Sequence, residues 1–143
     1  MKRILSIMIL CVISLAALAQ SRNSAKKLFN EGNFVEAKPM FEKLLKGSPK
    51  NSEYNYWYAA CCLETGDTVD VEEMLKFAVS RKIVNASRYL GDYYFGKSQF
   101  QLAMDCYDDF LEKTKDDSLR VVFSRKALVS KNAGRMVMNT SKI

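Results

Sequence analysis

Residues that could carry out acid–base, nucleophilic or metal chemistry are few in this sequence and poorly spaced for it. Histidine is absent, which excludes Ser-His-Asp and Cys-His catalysis, histidine-ligated zinc and histidine pH switches. The carboxylate pairs Glu72-Glu73 and Asp108-Asp109 are sequence neighbours, which do not share a helix face, so we expect them at the solvated surface. Gly91 and Gly96 precede Lys97-Ser98, but they fall within a predicted helix and not at the Gly-rich strand-to-helix turn that a phosphate loop needs. The sequence therefore predicts a protein that is not an enzyme, with no metal and no cofactor.

The cysteines predict packing rather than reactivity. The chain has Cys11, Cys61, Cys62 and Cys106, with neither a CxxC pair nor a zinc-ligand spacing. Cys61 and Cys62 point about 100° apart on a helix, so they are poor partners for each other. We expect these thiols to be small buried hydrophobic groups. A Cys62–Cys106 bridge or a redox role is the alternative.

The first nineteen residues have the layout of a secretory signal peptide. Lys2 and Arg3 precede an apolar run over 4–18, and small residues occupy both required positions of Ala17-Leu18-Ala19. The run of about 15 residues is short of the ~20 that a membrane-spanning helix needs. We expect cleavage after Ala19 and export to the periplasm or the outer membrane. An uncleaved anchor, or a lipoprotein attached through Cys11, is the alternative.

The rest of the chain reads as one helical domain. Of 143 residues, 48% are apolar and 27% are charged, which is an ordinary globular composition. Apolar residues recur at spacings of three and four, and no stretch alternates like a half-buried strand. The pattern predicts seven helices, at about 22–30, 34–46, 52–65, 69–80, 85–96, 100–114 and 118–137.

These helices follow an internal repeat. Gly32, Gly66 and Ser98 stand at equivalent breaks, and the spacing of Phe34 to Ala37 recurs in the third unit. The period of about 34 residues indicates helix pairs that stack on one another. It predicts units at about 20–49, 50–83 and 84–117, the middle one degenerate, followed by a basic segment at 118–143.

The repeat resembles the tetratricopeptide repeat. The family has a Leu-Gly-x-x-Tyr segment in the first helix of a unit, which 90–94 matches. It has an Ala-x-x-x-Phe segment in the second helix, which 103–107 matches with Tyr in the last position and 37–41 matches with Pro49 after it. Val71, Ile83 and Pro39 depart from the family pattern. The resemblance implies an all-α fold, a right-handed α-α superhelix of three helix pairs plus a C-terminal capping helix. The packing positions that it implies are Ala25, Gly32, Ala37, Phe41, Pro49, Ala59, Gly66, Ala78, Leu90, Gly91, Tyr94, Ala103 and Tyr107.

A narrower likeness concerns the location of the protein. The stretch 25–94 is similar to the N-terminal repeats of certain exported bacterial cell-envelope proteins, where a β-propeller and a peptidoglycan-binding module often follow. In this chain the last residue is Ile143. A short stand-alone member and a truncated copy of a larger protein both remain open.

The resemblance also implies a concave groove lined by the first helix of each pair. The groove candidates are Arg22, Lys26, Phe29, Tyr56, Trp57, Ala60, Glu64, Arg88, Tyr89 and Asp92. Aromatic and arginine side chains are enriched at binding hot spots, which favours a peptide or protein partner of acidic or aromatic character. The alternative is that Trp57 and Tyr89 are packed core. The set lacks the Lys/Asn/Arg clamp with which some family members hold a C-terminal carboxylate.

Charge is divided along the C-terminal third. Residues 105–117 have six carboxylates against two lysines, whereas 118–143 have six basic residues and no acid. We expect the last helix to cap the stack, since a solenoid end needs a solvated outer face. It would bury Leu119, Val122, Phe123, Ala127 and Val129. A basic tail for a partner or an anionic membrane is the alternative, and nucleic acid is not expected for an exported protein.

Two hypotheses about function follow. One is a protein-binding module of the envelope with a ligand groove. The other is a structural or assembly element that stacks on itself or on a neighbouring protein without a discrete ligand. They differ in whether Trp57, Arg88 and Tyr89 line an open groove or are covered by the chain's own helices.

Overall fold

The protein is a series of seven α helices, and the computed structural model describes residues 2–141. The helices are α1 (Lys2–Asn30), α2 (Phe34–Gly47), α3 (Ser52–Glu64), α4 (Val71–Ser80), α5 (Val84–Gly96), α6 (Phe100–Lys113) and α7 (Asp117–Thr140). No strand occurs within 2–141. Each helix packs mainly against its neighbours in sequence, and α3 also meets α5, which is the contact pattern of a solenoid. The predicted fold is confirmed: a right-handed α-α superhelix of three helix pairs closed by α7.

Only the first helix differs much from the predicted bounds. α1 begins at Lys2 instead of near 22, because residues 2–22 contain no glycine or proline that would end a helix. Along this extension Ile7, Val12 and Leu18 are exposed, so no other helix covers these three side chains. No helix in the described part of the chain is long and apolar enough to cross a bilayer.

The turns within the three helix pairs share one geometry. Gly32 and Gly66 have φ of +78° and +80°, in the left-handed region that glycine enters without steric cost. Beyond them, the Asn33 amide donates to Leu28 and the Asp67 amide donates to Cys62, both at 2.8 Å. Ser98 stands at the equivalent break of the third unit and keeps a left-handed φ of 58°. This C-terminal capping turn fixes where each first helix ends.

Small side chains lie where helices cross. Ala25, Ala37, Ala59 and Ala103 are fully buried, and short side chains allow neighbouring backbones to approach closely. Phe41, Ala78, Leu90, Gly91, Tyr94 and Tyr107 are buried as well, whereas Gly32, Pro49 and Gly66 lie exposed at turns. The apolar interior thus runs through the whole stack, because each helix pair buries its faces against the next.

Polar contacts tie consecutive helices together at the edge of this interior. Lys38 Nζ lies 2.9 Å from Asp67 Oδ2, and this hydrogen bond raises the pKa of Lys38 and lowers that of Asp67. Tyr94 donates to Glu72 at 2.9 Å. These contacts reach across sequence separations of 29 and 22 residues, so they fix the register of one pair on the next.

The buried face of α7 differs from the one predicted. Phe123 and Ala127 are buried as expected and Leu119 is half-buried, but Ser130 completes the stripe. Val122 and Val129 are 47% and 52% exposed. Seven residues apart, these two valines share a separate face, turned away from the stripe that α6 covers. Of the basic residues of the predicted tail, Lys142 lies outside the described residues, as do Met1 and Ile143.

Candidate functional site

The first helices of successive pairs lie side by side and form one face of the superhelix. The rings of Phe29, Tyr56 and Tyr89, from α1, α3 and α5, have centroids 6.1 Å, 5.9 Å and 6.4 Å apart. The row reaches α7 through Arg88, whose guanidinium carbon lies 5.5 Å from the Phe123 ring. In a solenoid of helix pairs this row lines the concave surface.

The aromatic side chains of this face are largely covered by the chain itself. Tyr56, Trp57 and Tyr89 are 5%, 8% and 4% exposed, and burial raises the pKa of both tyrosines. Trp57 stacks on Phe41 with ring centroids 5.3 Å apart. Ala60 is also buried. The structure therefore places these four groove candidates in the packing between helices, where they offer a ligand little surface.

The remaining groove candidates form a polar rim around that packing. Arg22 and Glu64 are exposed, whereas Lys26, Phe29 and Asp92 are half-buried. Lys26 lies over the Trp57 ring, its Nζ 4.9 Å from the centroid. A cation held over an aromatic face keeps its charge available at the surface. The rim thus exposes charge, while the aromatic rings below it set its shape.

Arg88 links the packed rings to the open end of the face. Its guanidinium carbon lies 4.5 Å from the centroid of Tyr89, and its Nε donates to Asn85 at 3.1 Å. The side chain is half-buried. These contacts hold the guanidinium between α5 and the Phe123 ring of α7.

An open pocket lies farther along the same face, between α5 and α7. It has a volume of about 310 Å³ and is lined by Asp92, Phe95, Tyr107, Arg125, Lys126 and Val129. Asp92 organises one wall, since its Oδ1 accepts hydrogen bonds from Tyr107 and from Lys126, both at 2.7 Å. Lys126 is neutralised by this ion pair. Arg125 forms no ion pair within residues 2–141, so its charge is free to meet an anionic ligand.

Sequence reasoning placed Asp92 at this face but missed Phe95, Arg125, Lys126 and Val129. A signal was present, because Lys126 follows its partner Asp92 by 34 residues, one full period of the repeat. That spacing makes α7 the first helix of a fourth unit. Treating residues 118–143 only as a cap concealed that α7 also lines the concave face.

The family is decided by comparison with known proteins. The tetratricopeptide repeat profile matches residues 28–80, which span the first turn, α2, α3 and α4. Residues 28–80 of this chain are tetratricopeptide-repeat sequence. No curated protein matches the sequence.

Solved structures place the remaining helices in the same fold. The type III secretion translocator chaperone SycD of Yersinia enterocolitica is 15% identical with a TM-score of 0.71, over 82% of this chain and 86% of that one. The Sgt2 tetratricopeptide-repeat domain of Aspergillus fumigatus is 18% identical with a TM-score of 0.65, over 88% of this chain and 82% of that one. The first repeat domain of Spaghetti (RPAP3), bound to an HSP90 peptide, is 17% identical with a TM-score of 0.63, over 78% of this chain and 91% of that one. At these identities the likeness concerns the tetratricopeptide fold alone.

Burial favours the protonated form of three thiols, those of Cys61, Cys62 and Cys106. Cys61 and Cys62 are buried in α3, and Cys106 is half-buried in α6. Burial raises the pKa of Cys61 to about 12 and that of Cys106 to about 11, so neither forms much thiolate at neutral pH. All four cysteines, Cys11 included, are free. No group of three or more potential metal ligands occurs among the described residues.

Proposed function

We propose that this tetratricopeptide-repeat protein is a non-enzymatic interaction module of the bacterial envelope, which binds a peptide or a partner helix on its concave face. The observation that carries the proposal is the open pocket between α5 and α7. It joins apolar surface from Phe95 and Val129 to the available charge of Arg125. Such a combination fits a segment with an apolar side chain beside a carboxylate.

The charge of the whole face supports an acidic ligand. Its cationic groups are Arg22, Lys26, Arg88, Arg125 and Lys126, whereas Glu64 and Asp92 are its acids. Because Asp92 and Lys126 neutralise each other, four cations face one remaining carboxylate. Among the similar structures, Spaghetti is bound to the peptide SRMEEVD, which itself has consecutive carboxylates. These features together favour an acidic segment of a partner protein.

A second candidate is favoured by the burial of Trp57 and Tyr89. If these rings serve only to join helix pairs, the repeats form a structural or assembly element without a discrete ligand. The two candidates make different use of the pocket, which the structural role leaves empty. Binding measurements on pocket variants therefore separate them.

We expect Arg125→Glu to weaken binding of acidic peptides by about tenfold or more, because a like charge then faces the ligand. The probes are fluorescein-labelled peptides that alternate glutamate with leucine or phenylalanine, and Kd is measured by fluorescence anisotropy. Phe95→Ala should lose affinity through its apolar contact. The matched control is Lys43→Glu, which makes the same charge change at an exposed site on α2.

The control Lys43→Glu should bind the acidic peptides as the unmodified protein does. Peptides with glutamine in place of glutamate should bind more weakly to the control and to the unmodified protein. Equal Kd values for Arg125→Glu and Lys43→Glu would contradict the groove proposal, and absence of saturable binding would favour the structural role. Partners captured from an envelope extract and lost with Arg125→Glu would then give the natural ligand.

Export belongs to the same proposal and has its own test. The signal-peptide layout predicts that the chain recovered from the envelope of an expressing bacterium begins at Gln20. Intact-mass measurement reads the N-terminus directly, and fractionation shows the compartment. Substituting bulky residues for Ala17 and Ala19 should block processing. A cytoplasmic chain that keeps residues 1–19 would contradict the proposed location but would leave the proposal of peptide binding unaffected.

A further inference from the structure

α7 presents a second surface that the concave face does not use. Val121 and Leu128 follow Ser87 and Tyr94 by one repeat period of 34 residues. Ser87 and Tyr94 lie on α5 and are buried, whereas Val121 and Leu128 are 55% and 58% exposed. The difference arises because α5 has a second helix, α6, packed on it, while no helix in residues 2–141 covers the corresponding face of α7. The first helix of a fourth unit thus stands uncovered.

The surface beside these two side chains is divided into a basic and an acidic row. Lys131 and Arg135 are exposed on α7, four residues apart, and therefore share a face. On the neighbouring α6, Asp108 and Glu112 are exposed with the same spacing. None of these four side chains forms an ion pair in the described structure.

The basic row lines a groove between α6 and α7. This space of about 420 Å³ is lined by Gln101, Met104, Ser130, Lys131, Gly134, Arg135 and Met138. Met104 precedes Asp108 by four residues, so the acidic row lies beyond the groove on the same face of α6. The outer face of the two helices thus has cations along the groove and carboxylates farther along α6.

We propose that this outer face of α6 and α7 is an interface between two copies of the chain. In the pair, the acidic row of α6 in each copy lies against the basic row of α7 in the other. A two-fold axis generates both contacts at once, because a symmetric interface uses the same patch on each subunit. The pairing covers Val121 and Leu128, which no helix within residues 2–141 covers, and the half-buried Met104.

Charge complementarity selects a second copy over other occupants. An anionic membrane would attract Lys131 and Arg135 but repel Asp108 and Glu112. An acidic helix from another protein would match α7 only. A second copy presents both signs in the required arrangement, whereas pairing of α7 with α7 would place like charges together at a cost. Arg125 lies next to Val121 and Leu128 on α7, whereas Phe95, on α5, belongs to the concave pocket alone.

The test reverses each row separately and then combines the two variants. One variant is Lys131→Glu with Arg135→Glu, the other is Asp108→Lys with Glu112→Lys. In sedimentation equilibrium of the full chain, we expect each variant alone to dimerise about tenfold or more weakly than the unmodified protein. An equimolar mixture of the two should recover a 1:1 heterodimer, because each reversed row then meets an opposite charge.

Lys43→Glu with Lys50→Glu, at exposed sites away from this face, is the matched control and should dimerise normally. Circular dichroism checks that every variant keeps its helices. An unmodified chain that stays monomeric, or a dimer that neither reversal weakens, overturns the proposal; the second result would point to association through the exposed apolar part of α1. Failure of the mixture to recover a dimer also overturns it. Phe95→Ala, a change in the pocket on α5, should leave dimerisation intact, so loss of peptide binding and loss of the dimer are read separately.

Discussion

Replacing Gly91 with alanine is expected to destabilise the fold by about 2 kcal/mol, the usual scale of overpacking a core. An added Cβ would lie 2.5 Å from Cε1 and 2.6 Å from Cδ1 of Tyr107, closer than carbon atoms approach. The ring cannot turn aside, because Tyr107 is fully buried, packs on Phe123 and donates to Asp92. This expected loss opposes the gain of about 1 kcal/mol that alanine brings to an ordinary helix interior. Urea denaturation followed by circular dichroism measures it.

Gly96→Ala is the matched control on the same helix. Gly96 is the last residue of α5, and a Cβ there meets no atom within 4 Å. The control should be as stable as the unmodified protein or slightly more so, since alanine reduces the freedom of the unfolded chain. Equal stability of Gly91→Ala and Gly96→Ala would show that α5 and α6 are not packed as closely as the structure has them.

A second variant tests the cause of the loss. With Tyr107→Leu in the background, the ring that Gly91→Ala would strike is gone, so the added methyl should cost much less than in the unmodified protein. Such non-additivity is the mark of two residues in direct contact. If the cost stays the same in both backgrounds, the destabilisation has another origin.

The helices could be predicted from sequence because their limits are set by local chemistry. Gly32 and Gly66 supply left-handed turns, and Asn51 begins α3 by accepting the Tyr54 amide at 3.0 Å, all within a few residues. The repeat added information beyond single helices, since its pattern places a small residue on the first helix of a unit and a large one on the second. Gly91 and Tyr107 are such a pair, and the structure has them in contact.

The phase of α7 could not be predicted in the same way. The sequence predicts burial of Val122 and Val129 because apolar side chains usually mark a buried face. In α7 several valines and methionines are exposed, since only α6 and the end of α5 cover the helix. A pattern of apolar residues shows which side chains could be buried, but not how many partner helices are present to bury them.

The depth of the concave face was also beyond the sequence. The spacing correctly puts Tyr56, Trp57 and Tyr89 on first helices, but exposure depends on how closely those helices approach. Ala59 and Ala60 on α3 are fully buried, so the neighbouring helices come close enough for the rings to fill the space between them. The open part of the face is displaced toward α7, where the stack ends and the pocket remains unfilled.

Truncating Trp57 to alanine is expected to cost about 3 kcal/mol or more, the range for removing a buried large aromatic. The indole stacks on Phe41 and meets Tyr54 and Tyr56 at centroid distances of 6.4 Å and 6.2 Å, so its loss empties the junction of the first two pairs. A small domain has only about 5–15 kcal/mol of stability in total. The variant should therefore unfold at a much lower urea concentration, with loss of helical circular dichroism.

Phe95→Ala is the control that gives this result its meaning. Phe95 is 37% exposed and lines the pocket, so its truncation should lower stability far less while weakening peptide binding. The opposite behaviour of the two variants would assign Trp57 to the packing between repeats and Phe95 to the ligand. A Trp57→Ala protein with unchanged stability but lost binding would reverse that assignment. The concave face would then bind its partner through the buried aromatic row, which would have to open to admit it.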